Sequence, residues 1–466
     1  MSIREKFFGD RNFYARVVSI AVPVIVQNGI TNFVNLLDNI MVGRLGTEQM
    51  SGVSIVNQFI FIFNLIIFGA ISGAGIFSVQ YHGIGDQKGI RHTVRYKFYI
   101  NLLMSLAAIA ILWTFDDSLI NMFLFDNGSK GDLALTLEQG KQYLQIMLIG
   151  LVPYALSQMY ASTLRETEHA VVPMNASLAA VATNFILNYI LIFGKLGVQP
   201  MGVRGAALAT VISRFAELII LVIWSHTHTE KCPFFKGVFS SLAIPPALVG
   251  SMLMKGLPLM VNEFLWSLSV TLKNQCYATR GIDVVAAQNI STTIFNVFSV
   301  VYMSFGTAIS IMVGGLLGQG LLDEAKDTGR KLLVCSAGCG LTLGALISLC
   351  SGIFPQVYNT EAGVKAIAAY MMITSGIFMP FYAFSHSSYF IIRSGGNVGL
   401  TFVMDSGYMW LIVIPVSYVV SRFTGVDIHF LYVICQGMEA LKSVFCLFML
   451  KKTRWAKQLV GEKQPE

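Results

Sequence analysis

Twelve apolar runs of about 20 residues dominate this chain and leave it few ways to fold. They lie at approximately 17–41, 53–80, 95–115, 141–163, 171–194, 203–224, 252–278, 286–316, 331–352, 367–391, 398–421 and 428–450. A helix needs about 20 apolar residues to cross the hydrocarbon layer, and only helices or closed barrels satisfy their own backbone there. Runs of this length predict an all-α polytopic membrane protein. Of the 466 residues, 12% are charged and 55% hydrophobic. Soluble domains carry roughly a quarter charged residues, so the composition points the same way.

Charge in the connecting segments alternates. Arg4, Lys6, Arg11 and Arg16 precede span 1, and Lys88, Arg91, Arg95 and Lys97 lie between spans 2 and 3. Lys326, Arg330 and Lys331 lie between spans 8 and 9, and Lys451, Lys452, Arg454, Lys457 and Lys463 follow span 12. The opposite connections are acidic, with Asp116, Asp117, Asp126, Asp132 and Glu138 between spans 3 and 4. The positive-inside rule then puts both termini in the cytoplasm, as an even number of spans requires. The net charge of +7 comes with no basic tract of nucleic-acid type. The seven cysteines stand mostly in apolar runs and read as buried small hydrophobes. No signal peptide is expected ahead of span 1.

The two halves repeat. Pro23 heads span 1 and Pro258 heads span 7; FGAISGAG at 68–75 answers FGTAISIM at 305–312; PYALSQMYASTLR at 153–165 answers PFYAFSHSSYFIIR at 380–393. Six spans is an even number, so both copies enter the bilayer in the same sense, as parallel repeats about an axis along the membrane normal. The predicted architecture is two pseudo-symmetric six-helix bundles around a central cavity. The N lobe takes 1–225, a cytoplasmic linker with an interfacial helix takes 226–250, the C lobe takes 251–450, and a basic tail takes 451–466. This is a transporter layout.

Span 1 carries the densest polar stripe: Asn28, Thr31, Asn32, Asn35, Asp38 and Asn39 recur every three or four residues. A carboxylate near a helix centre costs about 2.5–3.5 kcal/mol on insertion scales, so Asp38 reads as a site for a cation, a proton or a substrate. On span 5, Asn184 and Asn188 share a face one turn apart. Their oxygens suit a hard monovalent ion such as Na+ beside an Asp; their amides suit a protonated Asp equally well. Span 7 has Glu263, Ser267 and Asn274 along one face. Glu263 has three open roles: taking a proton, pairing with a cationic substrate, or pairing with a lysine. His386 on span 10 titrates near neutral pH when unperturbed. These four residues and Asn35 form the candidate substrate-contacting set. Gly69, Gly73, Gly314 and Gly318 predict close helix crossings. The pairs Arg214/Glu217 and Glu439/Lys442 stand at i,i+3 and predict ion pairs along their own helices.

No GxxxxGK[ST] loop, HExxH pair or Ser-His-Asp arrangement is present, which argues against an ATP-driven pump acting alone and against a membrane hydrolase.

The stretch DNIMVGRLGTEQMSGVSI at 38–55 resembles the span 1–2 signature of the multidrug and toxic compound extrusion (MATE) transporters. The likeness extends to the Gly83–Asp86 turn, Arg165 and Arg393, MGVRGAALAT at 201–210 and the repeat of six spans with six. It implies a twelve-helix, two-lobe efflux antiporter. Such a protein expels amphipathic, often cationic compounds in exchange for Na+ or H+, without further cofactors and as a monomer in the bilayer. By the resemblance, Asp38 is the N-lobe coupling acid, with Asn184, Asn188, Thr210 and Gln158 as companions, and Asp38, Asn184 and Asn188 as Na+ ligands if Na+ is the ion. Glu263 matches the family's span 7 carboxylate. Two positions differ from the pattern: Phe381–Arg393 holds no acid, and Asn188 stands where some members have Asp. The competing expectations are a lipid-linked precursor flippase of the same superfamily, and a polytopic enzyme or receptor.

Overall fold

The computed structural model describes residues 6–124, 132–358 and 360–461. Its order of long helices is α1 (Arg11–Gly43), α2 (Thr47–Gly83), α3 (Gln87–Thr114), α4 (Leu133–Ile149), α5 (Leu151–Glu166), α6 (Val171–Phe193) and α7 (Gly202–Thr227). There follow α8 (Pro246–Ala278), α9 (Ile282–Gly318), α10 (Leu322–Cys350), α11 (Ala362–Ser394), α12 (Val398–Phe423) and α13 (Ile428–Lys452). Eleven are long and apolar enough to cross a membrane, and the pair α4–α5, bent by 46°, makes a twelfth. This is an all-α, multi-pass membrane protein.

The irregularities have local causes. Span 4 bends at Gly150, ahead of Pro153, whose ring crowds the carbonyl of Ile149 and which has no N–H to give it. In α12, Val403–Gly407 and Met409–Val413 widen to π-helix just before Pro415. Proline cannot close the bond to Leu411, and the loosened turns carry Asp405. Between α2 and α3 the chain reverses through Gly85, at φ 73°, a conformation that favours glycine. Asp86 then caps α3 by accepting from the Lys88 and Gly89 amides, both at 3.0 Å.

The chain splits into two compact units. One is Val26–Ser78 with Asp86–Met260; the other is Met1–Ile25, Val79–Gly85 and Val261–Glu466. The core of the first gathers Val42, Val56, Phe63, Leu144, Leu151 and Val211. The core of the second gathers Val17, Ile309, Val313, Leu332, Ile392 and Met404.

The expected interfacial helix in 226–250 is not formed. Residues 228–245 are irregular apart from one short 3-10 turn, Pro233–Phe235, and α8 begins at Pro246. Pro233, Gly237 and the Pro245–Pro246 pair interrupt any helix, and α3 supplies other partners for the carbonyls. Arg91 donates to the Phe234 and Pro233 carbonyls at 3.2 and 3.1 Å. Arg95, one turn on, donates to the Val238 and Ala243 carbonyls at 2.7 and 2.9 Å. The described part of the basic tail is also docked. Trp455 and Val460 are buried, and Gln80 bonds the tail through the Leu459 amide at 2.7 Å.

The small-residue spacings do bring backbones together. A Cβ on Gly73 would stand 2.5 Å from the Gly256 nitrogen and 2.8 Å from the Met252 carbonyl oxygen. A Cβ on Gly318 would stand 2.2 Å from the Gln80 carbonyl oxygen. Gly73→Val should therefore destabilise the protein by at least the roughly 1–3 kcal/mol typical of overpacking. The check is a thermal melt in detergent: a midpoint clearly below wild type is expected, with Gly73→Ala between the two, while Gly250→Ala, which meets nothing within 4 Å, leaves it unchanged.

Candidate functional site

Four of the residues predicted from the sequence meet in the first unit. Asn188 Nδ2 on α6 donates to Asp38 Oδ1 on α1 at 2.6 Å and to Asn184 Oδ1 at 3.1 Å. Asn184 Nδ2 donates to Thr210 Oγ on α7 at 3.2 Å, and the Thr210 hydroxyl donates to the Ala206 carbonyl at 3.0 Å. Asn184 and Asn188 are both buried. Their spacing of one helical turn presents both amides to the same neighbour.

The Asn184 amide faces both Asp38 oxygens, at 3.0 and 3.1 Å. A carboxylate only accepts and a carboxyl also donates, so the amide's two orientations match the two charge states of Asp38. With its oxygen toward Asp38, the carboxyl must carry a proton and donate it; every bond described above is then satisfied. With its nitrogen toward Asp38, the ionised carboxylate accepts, and Thr210 turns its hydroxyl to the Asn184 oxygen at 3.2 Å. The same atoms hold the acid with or without its proton. One further oxygen, Asn188 Oδ1, is buried without a donor among the described residues.

What surrounds Asp38 differs from the setting of Asp405 and Glu166. Its charge-relevant partner is the Asn188 amide, and no lysine or arginine among the described residues stands within ion-pair distance. Asp405, by contrast, meets Lys442 Nζ at 2.8 Å and accepts from Asn262 Nδ2 at 3.0 Å. Glu166 meets the fully buried Lys97 at 2.5 Å. An acid with a fixed cationic partner stays ionised, whereas one held by neutral amides can exchange its counter-charge.

The remaining predicted residues do not join this group. Gln158 is half-buried on α5 and makes no hydrogen bond to it. Asn35 lies on α1, but its side chain falls outside the described residues. Glu263 on α8 has Arg393 and Asp405 as charged neighbours. Ser267 is half-buried one turn on. Asn274 is exposed and accepts from Gln288 at 2.8 Å. His386 lies among rings, 4.8 Å from Phe390 and 5.8 Å from Tyr302 between centroids. Among the described residues no three His, Cys, Asp or Glu side chains form a metal-holding group.

Of the two i,i+3 expectations, Glu439 with Lys442 holds, with a nearer partner besides, and Arg214 with Glu217 needs correction. Lys442 is 3.8 Å from Glu439 on its own helix but 2.8 Å from Asp405 on α12, so its main partner is across the helix interface. Arg214 turns to the Gly150 carbonyl at 3.3 Å and the Tyr154 ring at 5.0 Å, while Glu217 accepts from Ser177. Asn262 and Ser177 were not anticipated. A buried polar residue beside a predicted site residue was the available signal for Asn262, which adjoins Glu263 in sequence.

Comparison with known proteins finds relatives that match along most of the chain. The chain is 23% identical over 95% of its length, and 93% of the relative's, to a probable multidrug resistance protein NorM of Thermotoga maritima. It is 23% identical over 86% of its length, and 83% of the relative's, to the multidrug resistance protein PmpM of Pseudomonas aeruginosa. Among solved structures it is similar to a multidrug resistance MATE family transporter in an outward-facing conformation, with TM-score 0.84, 17% identity and 94% of each chain covered. A superfamily transporter from Pyrococcus furiosus, described as having a binding pocket of reversed polarity, gives TM-score 0.82 at 18% identity, covering 97% of this chain and 99% of that one. The family described as MatE matches twice, over residues 23–190 and 258–419. Those matches begin at the two prolines from which the internal repeat is counted, and together they take in most of the chain: it belongs to the MatE family, whose members are transporters rather than enzymes.

Proposed function

We propose that this chain is a secondary active efflux antiporter exporting amphipathic, often cationic compounds, and that Asp38 is the acid through which an inward flow of protons drives export. The multidrug resistance named for its relatives supports the substrate class. The observation that carries the mechanism is the setting of Asp38, a half-buried acid held by the Asn188 amide with no lysine or arginine among the described residues within ion-pair distance. Such an acid changes charge when a cation arrives, and its amide neighbours have an arrangement for each state. Asn184, Asn188 and Thr210 hold the coupling acid. Glu263, with Asn35, Ser267, Asn274 and His386, forms the set proposed to meet the substrate, with Glu263 supplying negative charge for a cation. Both termini are cytoplasmic on this reading, and the protein works as a monomer.

In the cycle, protonation of Asp38 from outside turns it from an acceptor of the Asn184 amide into a donor to the Asn184 oxygen, and the contact of α1 with α6 and α7 changes. That change biases the equilibrium between outward-open and inward-open states. Proton loss inside resets it. Na+ is the competing ion, and Asn188 Oδ1 is the oxygen it would engage first.

Dye efflux from proteoliposomes tests the proposal, with a pH gradient and a Na+ gradient imposed in turn. Efflux is expected with the pH gradient alone; efflux with the Na+ gradient alone reassigns the ion, and efflux with neither removes the antiport reading. Asp38→Asn should abolish gradient-driven efflux while the protein inserts and folds. Asn188→Ala deletes a hydrogen bond to a charged group, worth about 1.5–3 kcal/mol. It should shift the half-maximal driving ion concentration by at least about tenfold, read from initial efflux rates across a titration of the gradient.

A further inference from the structure

The α1, α6 and α7 helices touch through polar side chains at a second level. Gln27 Nε2 on α1 donates to Ser177 Oγ on α6 at 2.7 Å. Ser177 Oγ donates to Glu217 Oε1 on α7 at 2.5 Å. Arg165 Nη1 on α5 donates to Gln27 Oε1 at 3.4 Å. The direction is forced: arginine only donates, so the Gln27 oxygen accepts and its nitrogen is left to donate. The single serine proton then goes to Glu217. Gln27 and Ser177 are both buried. The charged groups facing Glu217 are Arg165 and Arg214.

This level is in register with the Asp38 site. Gln27 and Ser177 are 150 residues apart, and so are Asp38 and Asn188. Eleven residues separate the two contacts on each helix, about 16 Å at 1.5 Å per residue. An eleven-residue step is about 3.67 residues per turn, close to the helical 3.6, so both contacts use one face. The α6–α7 pair repeats the pattern in the antiparallel sense. Ser177 lies seven residues before Asn184, and Glu217 lies seven after Thr210. The two groups are rungs of one ladder, and α1 cannot slide or turn on α6 at one rung without disturbing the other.

We infer that Gln27, Ser177 and Glu217 are positioning residues for the Asp38 site: their rung sets the axial register of α1 on α6 and so presents Asp38 to Asn188. The inference rests on the reading of Asp38 as the coupling acid. What Glu217 contributes is an acceptor oxygen for Ser177, anchored beside two arginines, and not a proton of its own.

The test is a titration of the driving pH gradient in dye-loaded proteoliposomes of the full-length protein. It compares wild type, Asp38→Asn, Glu217→Gln, Glu217→Leu, Ser177→Ala and Gln27→Leu. Glutamine keeps an oxygen where Ser177 needs one, so Glu217→Gln should stay within about twofold of wild type in half-maximal proton concentration. Glu217→Leu, Ser177→Ala and Gln27→Leu should each shift that value by about tenfold. The Gln27→Leu/Glu217→Leu double variant should shift it no further than the larger single change, because both break one rung. Should Glu217→Leu fail to fold, Ser177→Ala and Gln27→Leu carry the comparison, with melting midpoints recorded for each. The inference is overturned if Glu217→Gln loses coupling as Asp38→Asn does, which would make Glu217 a proton carrier. It is also overturned if Asp38→Asn abolishes coupling while Ser177→Ala and Gln27→Leu leave the titration unmoved. Coupled efflux by Asp38→Asn itself would remove the reading beneath it, an outcome seen in a different variant.

Discussion

A carboxylate inside a lipid-embedded helix bundle has to be compensated, and the rest of this structure is organised around how that is done. The acids of this protein are not all compensated in the same way. Glu166 and Asp405 are each met by a buried lysine, Lys97 and Lys442, at 2.5 and 2.8 Å. Such pairs are fixed: losing either partner leaves an unpaired charge where water is scarce. Asp38 is met by amides. Amides can both donate and accept, so they offer donors to an ionised acid and an acceptor to a protonated one. The distinction between a structural acid and a switching acid therefore lies in the partner and not in the acid.

Helix geometry makes the amide arrangement possible. Asn184 and Asn188 are one turn apart on α6, so a single straight helix aims both at α1. The same straightness carries the register eleven residues along to Ser177 and Gln27. Elsewhere the helices are deliberately not straight. In α12 the turn that bears Asp405 is π-helical, and Pro153 bends span 4. Close crossings at Gly73 and Gly318 leave no space for a Cβ, so neighbouring backbones approach each other directly there.

Much of the Asp38 site was legible before any coordinates. The stripe on span 1 and the Asn pair on span 5 each announce a face by their own helical periodicity. Thr210 had no such signal, since a lone threonine in an apolar helix is unremarkable; only the family resemblance pointed to it. Gln27 belongs to the face of Asp38 at i,i+11, a spacing that falls outside the usual three-or-four rule and was passed over. The i,i+3 rule picked out a real ion pair in Glu439 and Lys442 but gave no sign of the nearer partner of Lys442. It knows only one helix, and the nearer acid, Asp405, is on another. The linker failed for a related reason: its amphipathic pattern reads as a helix until Arg91 and Arg95 are seen taking its carbonyls.

What the sequence determined by itself is whatever a single helix in lipid dictates. Span number, the twofold repeat and the polar face of each span follow from length, period and the cost of unsatisfied groups in hydrocarbon. Tertiary structure alone decided which of those faces meet, and hence which acid is locked by a lysine and which is held by amides. The physical reason is that pairing between helices depends on their rotation and relative depth, set by packing across hundreds of residues, about which local periodicity carries no information.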